Sequence, residues 1–132
     1  MVSRVLLRLA KLRRARWPKS LILMYHRIDD PVMDPWGVCV TPGIFAAQMQ
    51  VLAEMKVACP LSEIQAGSGR VAVTFDDGYA DNLYTALPIL KQHNVPATFF
   101  VVAGTVGKPA FWWDELERVF FSHPRLPLNL FL

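Results

Sequence analysis

The feature that most constrains the fold is an apolar run that ends in two acids. Residues 71–75 read Val-Ala-Val-Thr-Phe, and Asp76, Asp77 and Gly78 follow directly. A β-branched and aromatic run without polar alternation is typical of a parallel strand covered on both faces. Neighbouring strand residues point to opposite faces, so both acids can serve one pocket only if the backbone leaves the strand, which Gly78 permits. Two close carboxylates repel unless a cation lies beside them, so the pair predicts a metal site.

The rest of the chain alternates apolar runs with helical patterns. A first strand is predicted over 21–25, with His26 at its end, and Thr41 is expected to cap a helix that begins at Pro42. Strand, helix and strand in succession indicate a parallel sheet with crossover helices, so the fold class is α/β. The further predicted elements are a helix over 81–93 that Pro88 kinks or restarts and Asn94 ends, a strand over 97–102, and a helix over 111–121 with a buried stripe of Trp112, Leu116, Val119 and Phe120.

Length and composition predict one folded domain. The chain has 132 residues, of which 53% are hydrophobic, and this is enough for a single core but not for two. Its two cysteines, Cys39 and Cys59, are too few for a disulfide framework, and we expect them to be small buried apolar residues.

The positive charge is concentrated at the start of the chain. Residues 1–20 contain seven of the fourteen basic residues and none of the eleven acidic ones, which leaves −4 for the remainder. We therefore divide the chain into a basic amphipathic leader, 1–20, and a domain, 21–132. Residues 1–16 suit peripheral contact with an anionic membrane, or form an extension without a specific role. Basic residues interrupt every apolar stretch of the leader, so neither a secretory signal nor a transmembrane helix is predicted, and we expect a cytoplasmic or membrane-surface location without nucleic-acid binding.

Three segments resemble one known family. They are Thr-Phe-Asp-Asp-Gly-Tyr-Ala-Asp-Asn at 74–82, Ala-Leu-Pro-Ile-Leu-Lys at 86–91 and Val-Pro-Ala-Thr-Phe-Phe-Val at 95–101. The acid pair, the helix and the next strand follow the order found in the polysaccharide deacetylases (NodB homology, carbohydrate esterase family 4). Leu-Met-Tyr-His-Arg-Ile at 23–28 is similar to the subgroup that begins with a Tyr-His strand.

The resemblance implies a fold, an activity and a set of site residues. The fold would be the N-terminal part of a distorted, TIM-like (β/α)7 barrel with parallel strands. The activity would be metal-dependent hydrolysis of N-acetyl or O-acetyl groups on a polysaccharide or oligosaccharide. By the family pattern Asp76 would be the general base, Asp77 a ligand of a divalent metal, usually zinc, and His26 the general acid.

The chain departs from the family pattern in its metal ligands. Zinc in catalytic sites takes three protein ligands, and the family provides two of them from a later His-x-x-x-His motif. The three histidines here, His26, His93 and His123, include no pair four residues apart. A complete barrel also needs roughly 200 residues or more. We therefore expect a truncated N-terminal part that is inactive by itself, or else a non-catalytic pseudoenzyme or carbohydrate-binding remnant.

Other polar and aromatic residues have both functional and structural interpretations. Tyr79 and Trp113 are candidates for stacking on a sugar ring. Asp81 is expected to cap the helix that follows it, with an approach to the site as the alternative. Arg27 is expected to be solvated, with an acidic partner or a substrate hydroxyl as the alternative.

Two other protein classes use paired acids. A receiver-type phosphotransfer domain would carry a further isolated aspartate at the end of strand 97–102, and none is present. A nucleotide-sugar transferase generally separates its two metal-binding acids by one residue, whereas Asp76 and Asp77 are adjacent. Both classes are therefore less consistent with the sequence than a deacetylase.

Overall fold

The structure, a computed structural model, describes residues 19–121, which divide after Val101 into two units. The predicted leader helix, its membrane contact through residues 1–16 and His123 lie outside the described residues. Across 19–121, no helix is long and apolar enough to cross a membrane.

The first unit, residues 19–101, is built on a three-stranded parallel sheet. Its strands are β1 (Leu21–Tyr25), β2 (Val71–Phe75) and β3 (Ala97–Phe99), in the order β1-β2-β3. Every residue of β2 is buried, as expected for a central parallel strand. The predicted α/β class is confirmed.

The third strand is shorter than the sequence predicted. Residues 97–102 were expected to form a strand, but only Ala97–Phe99 pairs with β2, and the Phe100 amide makes one further hydrogen bond to the Phe75 carbonyl at 2.8 Å. The reason is that β2 itself ends at Phe75, so residues 101 and 102 have no neighbouring strand to pair with in the part of the chain that the structure describes.

The helix between β1 and β2 begins where it was predicted to begin. Helix α1 covers Pro42–Met55, and the Thr41 side chain accepts a hydrogen bond from the Ile44 amide at 3.4 Å. It ends at Lys56, whose φ of 54° is left-handed. Its buried residues are Phe45, Met49, Val51 and Leu52, and of these Phe45, Met49 and Leu52 belong to the same hydrophobic cluster as β2.

The segment between β2 and β3 is helical, but in two pieces. A wide π-turn, Asn82–Ala86, leads into helix α2, Leu87–His93, and Asn94 ends α2 with a φ of 54°. Pro88 lies in the first turn of α2. Since proline has no N–H to donate, the α-helical ladder is interrupted there, and the wide turn before it, in which the Leu87 amide bonds the Asn82 carbonyl, accommodates this. The backbone is helical at Asp81, Ala86 and Leu87, so the predicted helix over 81–93 is present, with a π-turn in place of the predicted kink or restart at Pro88.

Aromatic rings fill the core beneath the carboxyl ends of the strands. The Phe75 ring lies 5.5 Å from that of Tyr25, 5.7 Å from that of Phe45 and 4.8 Å from that of Phe99, measured between centroids. The Tyr25 hydroxyl donates to Gln48 Oε1 at 2.9 Å, and burial raises the pKa of Tyr25 to about 12. Strand and helix are therefore locked together next to the acid pair.

The second unit, residues 102–121 as described, holds a 3-10 turn, Ala103–Thr105, and helix α3, Trp112–Phe121. The predicted helix is present, but its predicted buried stripe is wrong: Trp112 is 67% exposed, Leu116 39% and Phe120 40%, and Val119 is half-buried. Within residues 102–121, one helix and one short turn provide no second layer that could cover a helix face.

The cysteines are both free. Cys59 is buried, as predicted, whereas Cys39 is only half-buried. Cys39 lies in the loop after β1, where its amide donates to Asp34 Oδ2 at 2.9 Å.

Candidate active site at the carboxyl ends of the strands

The acid pair lies on a tight turn that we call the acid turn, residues 76–78. The Gly78 amide donates to the Asp76 carbonyl at 2.9 Å, and Asp77 and Gly78 have φ values of 70° and 83°. A hydrogen bond from i+2 to i around a central residue with φ near +75° has the pattern of a strained γ-turn. The chain thus leaves strand geometry as predicted, but Asp77 itself, and not Gly78 alone, takes a left-handed conformation. Strain of this kind is common at functional sites.

The predicted acid, His26, follows β1 at the same edge of the sheet. Tyr25 and Phe75 are register partners in the parallel pair, and the Asp76 amide donates to the Tyr25 carbonyl at 2.9 Å. His26 and Asp76 directly follow these two residues, so they lie at the adjacent carboxyl ends of neighbouring strands. His26 and both aspartates are half-buried.

Arg27 does not have the solvated position that the sequence indicated. Its Nε donates to Asp81 Oδ2 at 3.0 Å and its Nη2 to Asp29 Oδ2 at 2.9 Å, while its guanidinium carbon lies 4.8 Å from the centroid of the Tyr79 ring. We call these four residues the Arg27 cluster. The expectation of a solvated arginine is wrong because acids from two loops converge on the same end of the sheet.

Asp81 likewise does not cap the helix after it. Its Oδ1 accepts the Ile28 amide at 2.9 Å, and it makes no side-chain capping bond. Buried Asn82 makes a further connection between the loops that follow β1 and β2. With its amide oriented to satisfy its neighbours, it donates to the His26 carbonyl at 3.0 Å and to Asp81 Oδ1 at 3.1 Å. The capping prediction is wrong because a charged partner and a buried amide on the neighbouring loop both compete for this carboxylate.

The local electrostatics follow from these contacts. Burial alone lowers the pKa of Arg27, but the hydrogen bond and charge of Asp81, helped by Asp29, raise it overall. Burial, together with the charge of Asp34, raises the pKa of the Cys39 thiol to about 11. Arg27 is therefore a permanent cation beside the site, and the thiol of Cys39 is protonated near neutral pH.

The acid turn fits one side of a cation site. Among residues 19–121, the carboxylates of Asp76 and Asp77 have no hydrogen-bond donor and no ion-pair partner. Carboxylate oxygens are suitable ligands for zinc. In the same range, no three His, Cys, Asp or Glu side chains are grouped closely enough to hold a metal.

The two aromatic candidates lie in different surroundings. Tyr79 directly follows the acid turn, and one face of its ring is covered by Arg27. Trp113 belongs to the second unit, where its ring stacks on Phe111 with centroids 4.6 Å apart. Sugar stacking by either residue stays a prediction.

Replacing Gly78 with alanine is expected to destabilise the first unit by about 1–3 kcal/mol. The φ of 83° disfavours any side chain, and an added Cβ would lie 2.9 Å from Cγ1 of Val101, a stiff β-branched side chain. Gly43→Ala in α1 is the matched control, since its Cβ would meet no atom within 4 Å and alanine favours the helix. Urea unfolding should show a loss for the first variant and a small gain for the second; equal midpoints would contradict the strain.

The fold and the acid turn together define the class of protein. Residues 63–122 match the sequence model of the family described as polysaccharide deacetylase. This range includes the acid turn, α2 and β3, and the solved structures that are similar to the chain have deacetylase folds. The chain belongs to the polysaccharide deacetylase family, of which it carries an N-terminal portion.

Particular relatives show how much of the family the chain represents. YxkH of Bacillus subtilis (strain 168), assigned to the polysaccharide deacetylases, is 33% identical over 114 residues, which are 80% of this chain and 39% of YxkH. BC0361, a polysaccharide deacetylase from Bacillus cereus, has a TM-score of 0.57 at 29% identity over 70% of this chain and 32% of its own. The deacetylase PplD of Streptococcus pyogenes, solved in complex with acetate, has a TM-score of 0.55 at 30% identity over 76% of this chain and 51% of its own.

Proposed function

We propose that this chain carries the acid–base part of a metal-dependent hydrolase that removes acetyl groups, chiefly N-acetyl, from a polysaccharide. One observation carries the proposal: a strained turn, whose two carboxylates have no partner among residues 19–121, ends β2 beside the strand end that bears His26. Active sites of parallel barrels are assembled at this end of the strands. Membership of the family supports the choice of reaction, and the acetate in the PplD complex is the product expected of it.

The proposed reaction divides between the two strand ends. Asp76 accepts a proton from the attacking water, whose oxygen adds to the acyl carbon. His26 donates a proton to the nitrogen as the carbon–nitrogen bond breaks, so that acetate and a free amine leave. A divalent cation, when bound, would polarise the water and stabilise negative charge on the acyl oxygen.

Asp77 is the residue proposed to hold that cation, with zinc as the expected metal. Its carboxylate is unpartnered within residues 19–121, and its left-handed backbone turns it out of the alternation that a strand would impose. Because the described residues offer no three-ligand group, we expect the 132-residue chain by itself to bind zinc weakly.

The substrate proposal is an N-acetylated polysaccharide or oligosaccharide, with Tyr79 and Trp113 as candidate contacts. A non-catalytic carbohydrate-binding role is the second candidate, and the incomplete ligand group within residues 19–121 is the observation that favours it. The two functions differ in whether the acid turn binds a metal.

Zinc titration tests the proposed function. By calorimetry, Asp77→Asn is expected to weaken zinc binding by about tenfold or more, equivalent to about 1.4 kcal/mol of binding free energy. Glu63→Gln is the control, because Glu63 is an exposed carboxylate in the 3-10 turn Leu61–Glu63, before β2 begins, and its loss should leave binding unchanged.

Acetate release provides the second measurement. With an acetylated chitooligosaccharide and zinc, the 132-residue chain is expected to release no more acetate than its Asp76→Asn variant. Clear release by the unaltered chain would show that its ligand set is sufficient, and unaltered zinc affinity in Asp77→Asn would remove the metal-ligand role and leave the carbohydrate-binding alternative.

A further inference from the structure

The loops that follow β1 and β2 contact each other directly, in addition to the hydrogen bonds between the two strands. The first loop, residues 26–29, carries His26, and the second loop, residues 76–82, carries the acid turn. Two contacts join them directly: the ion pair of Arg27 with Asp81, and the hydrogen bond of the Ile28 amide to the same carboxylate. With its amide oriented to satisfy its neighbours, Asn82 adds a third by donating to the His26 carbonyl.

We propose that Arg27 is a positioning residue, which, with Asp81 as its partner, fixes the loop of His26 against the acid turn. The proposal rests on the proposed function, because it assigns Arg27 a part in setting the distance between the acid and the metal-binding aspartate. It adds residues to which the acid–base scheme gives no role.

The shape of the guanidinium explains why arginine stands here. Nε bonds the second loop through Asp81, Nη2 bonds the first loop through Asp29, and the guanidinium carbon lies over the ring of Tyr79, immediately after Gly78. A planar fork with several donors can make these three contacts at once, whereas a lysine ammonium is a single point of charge.

Partial burial distinguishes the ion pair of Arg27 with Asp81 from an ion pair on the protein surface. The side chain of Asp81 is 13% exposed and that of Arg27 25%, while Asp29 at 45% lies closer to solvent. Exposed ion pairs contribute little to stability, whereas partly buried ion pairs that are also hydrogen-bonded fix the relative positions of the two side chains. Catalytic groups need their supporting residues to hold them within about 0.5 Å, which loops alone rarely achieve.

The first test uses Mn²⁺ as a paramagnetic probe at the acid turn of the 132-residue chain. Bound Mn²⁺ should broaden the ring protons of His26 more than those of His93 in α2, with the His26 signal assigned from a His26→Gln variant. Arg27→Gln and Asp81→Asn are expected to lose this excess broadening, and Arg27→Lys to restore part of it. Arg70→Gln is the control, since Arg70 bonds the Ala58 carbonyl just before β2 begins.

The second test needs no metal. Residual dipolar couplings of the amides in 26–29 and 76–82 should fit one common orientation in the unaltered chain and in Arg70→Gln, but two separate orientations in Arg27→Gln, while the couplings of β1 and β2 stay unchanged. Should Arg27→Gln fail to fold, Arg27→Lys decides by the same comparison.

The outcomes separate the two proposals. If Arg27→Gln keeps one common loop orientation, the positioning role is wrong, whatever the metal does. If the unaltered chain shows no excess broadening of His26 while Mn²⁺ occupies the acid turn, His26 is not held beside it and the inference also fails. If Asp77→Asn leaves zinc binding intact, the proposed function fails, and the dipolar couplings still decide the role of Arg27.

Discussion

Replacing Phe75 with alanine is expected to reduce the free energy of unfolding of the first unit by about 3–5 kcal/mol. Phe75 is fully buried, and its ring contacts those of Tyr25, Phe45 and Phe99, which come from β1, α1 and β3. Its removal would leave a cavity where all these elements meet, next to Asp76. Since single domains are stable by about 5–15 kcal/mol, one substitution here removes a large part of the total.

The matched control for this variant is Phe100→Ala. Phe100 is 50% exposed and lies beyond the end of β3, so the same loss of atoms should cost far less. Urea unfolding followed by circular dichroism would measure both. Equal losses in the two variants would contradict the position of Phe75 at the centre of this core.

The strands and the acid turn were predictable because their signals are local. The run at 71–75 is apolar at every position, and β2 is buried at every position. Two adjacent acids cannot share a pocket while the backbone is extended, so a departure from strand geometry after Phe75 followed from the sequence alone. Thr41 and Pro42 similarly defined the start of α1 through capping chemistry that involves only neighbouring residues.

The roles of Arg27 and Asp81 could not be predicted by the same means. An aspartate before a helical segment is most simply a cap, and an arginine after a strand is most simply solvated. Their partnership spans 54 positions and exists only because the parallel register places both loops at one edge. One signal was available in the sequence. Arg27 and Asp81 have opposite charges and follow two strands that were expected to be neighbours in the sheet.

The predictions of a strand over 97–102 and of a buried face on α3 were wrong for a related reason. Apolar residues show that a segment can be covered, but not that something covers it. Among residues 19–121, no strand is available to pair with 100–102 once β2 has turned at Asp76. Trp112 is exposed although it lies on the apolar stripe of its helix. Periodicity predicts the type of an element better than its burial.

Alkaline pH is expected to destabilise the first unit through Tyr25. Burial raises the pKa of Tyr25 from 10.0 to about 12 in the folded chain. The phenol is neutral below its pKa, so the folded state prefers the neutral form, and the unfolded state loses its proton first as the pH rises. The stabilisation is therefore fully present below about pH 10 and is lost between pH 10 and 12, at a cost of about 2–3 kcal/mol.

Tyr25→Phe isolates this contribution from the other groups that titrate in alkali. At pH 8 the variant should be less stable than the unaltered chain by about 1 kcal/mol, because the hydrogen bond to Gln48 Oε1 is lost. Between pH 10 and 12 the difference should shrink and then change sign, since phenylalanine has no proton to lose. Urea midpoints measured for both proteins at each pH would show the crossing. Two curves that stay parallel throughout would mean that the Tyr25 hydroxyl reaches water in the folded state and that the contact between β1 and α1 is open.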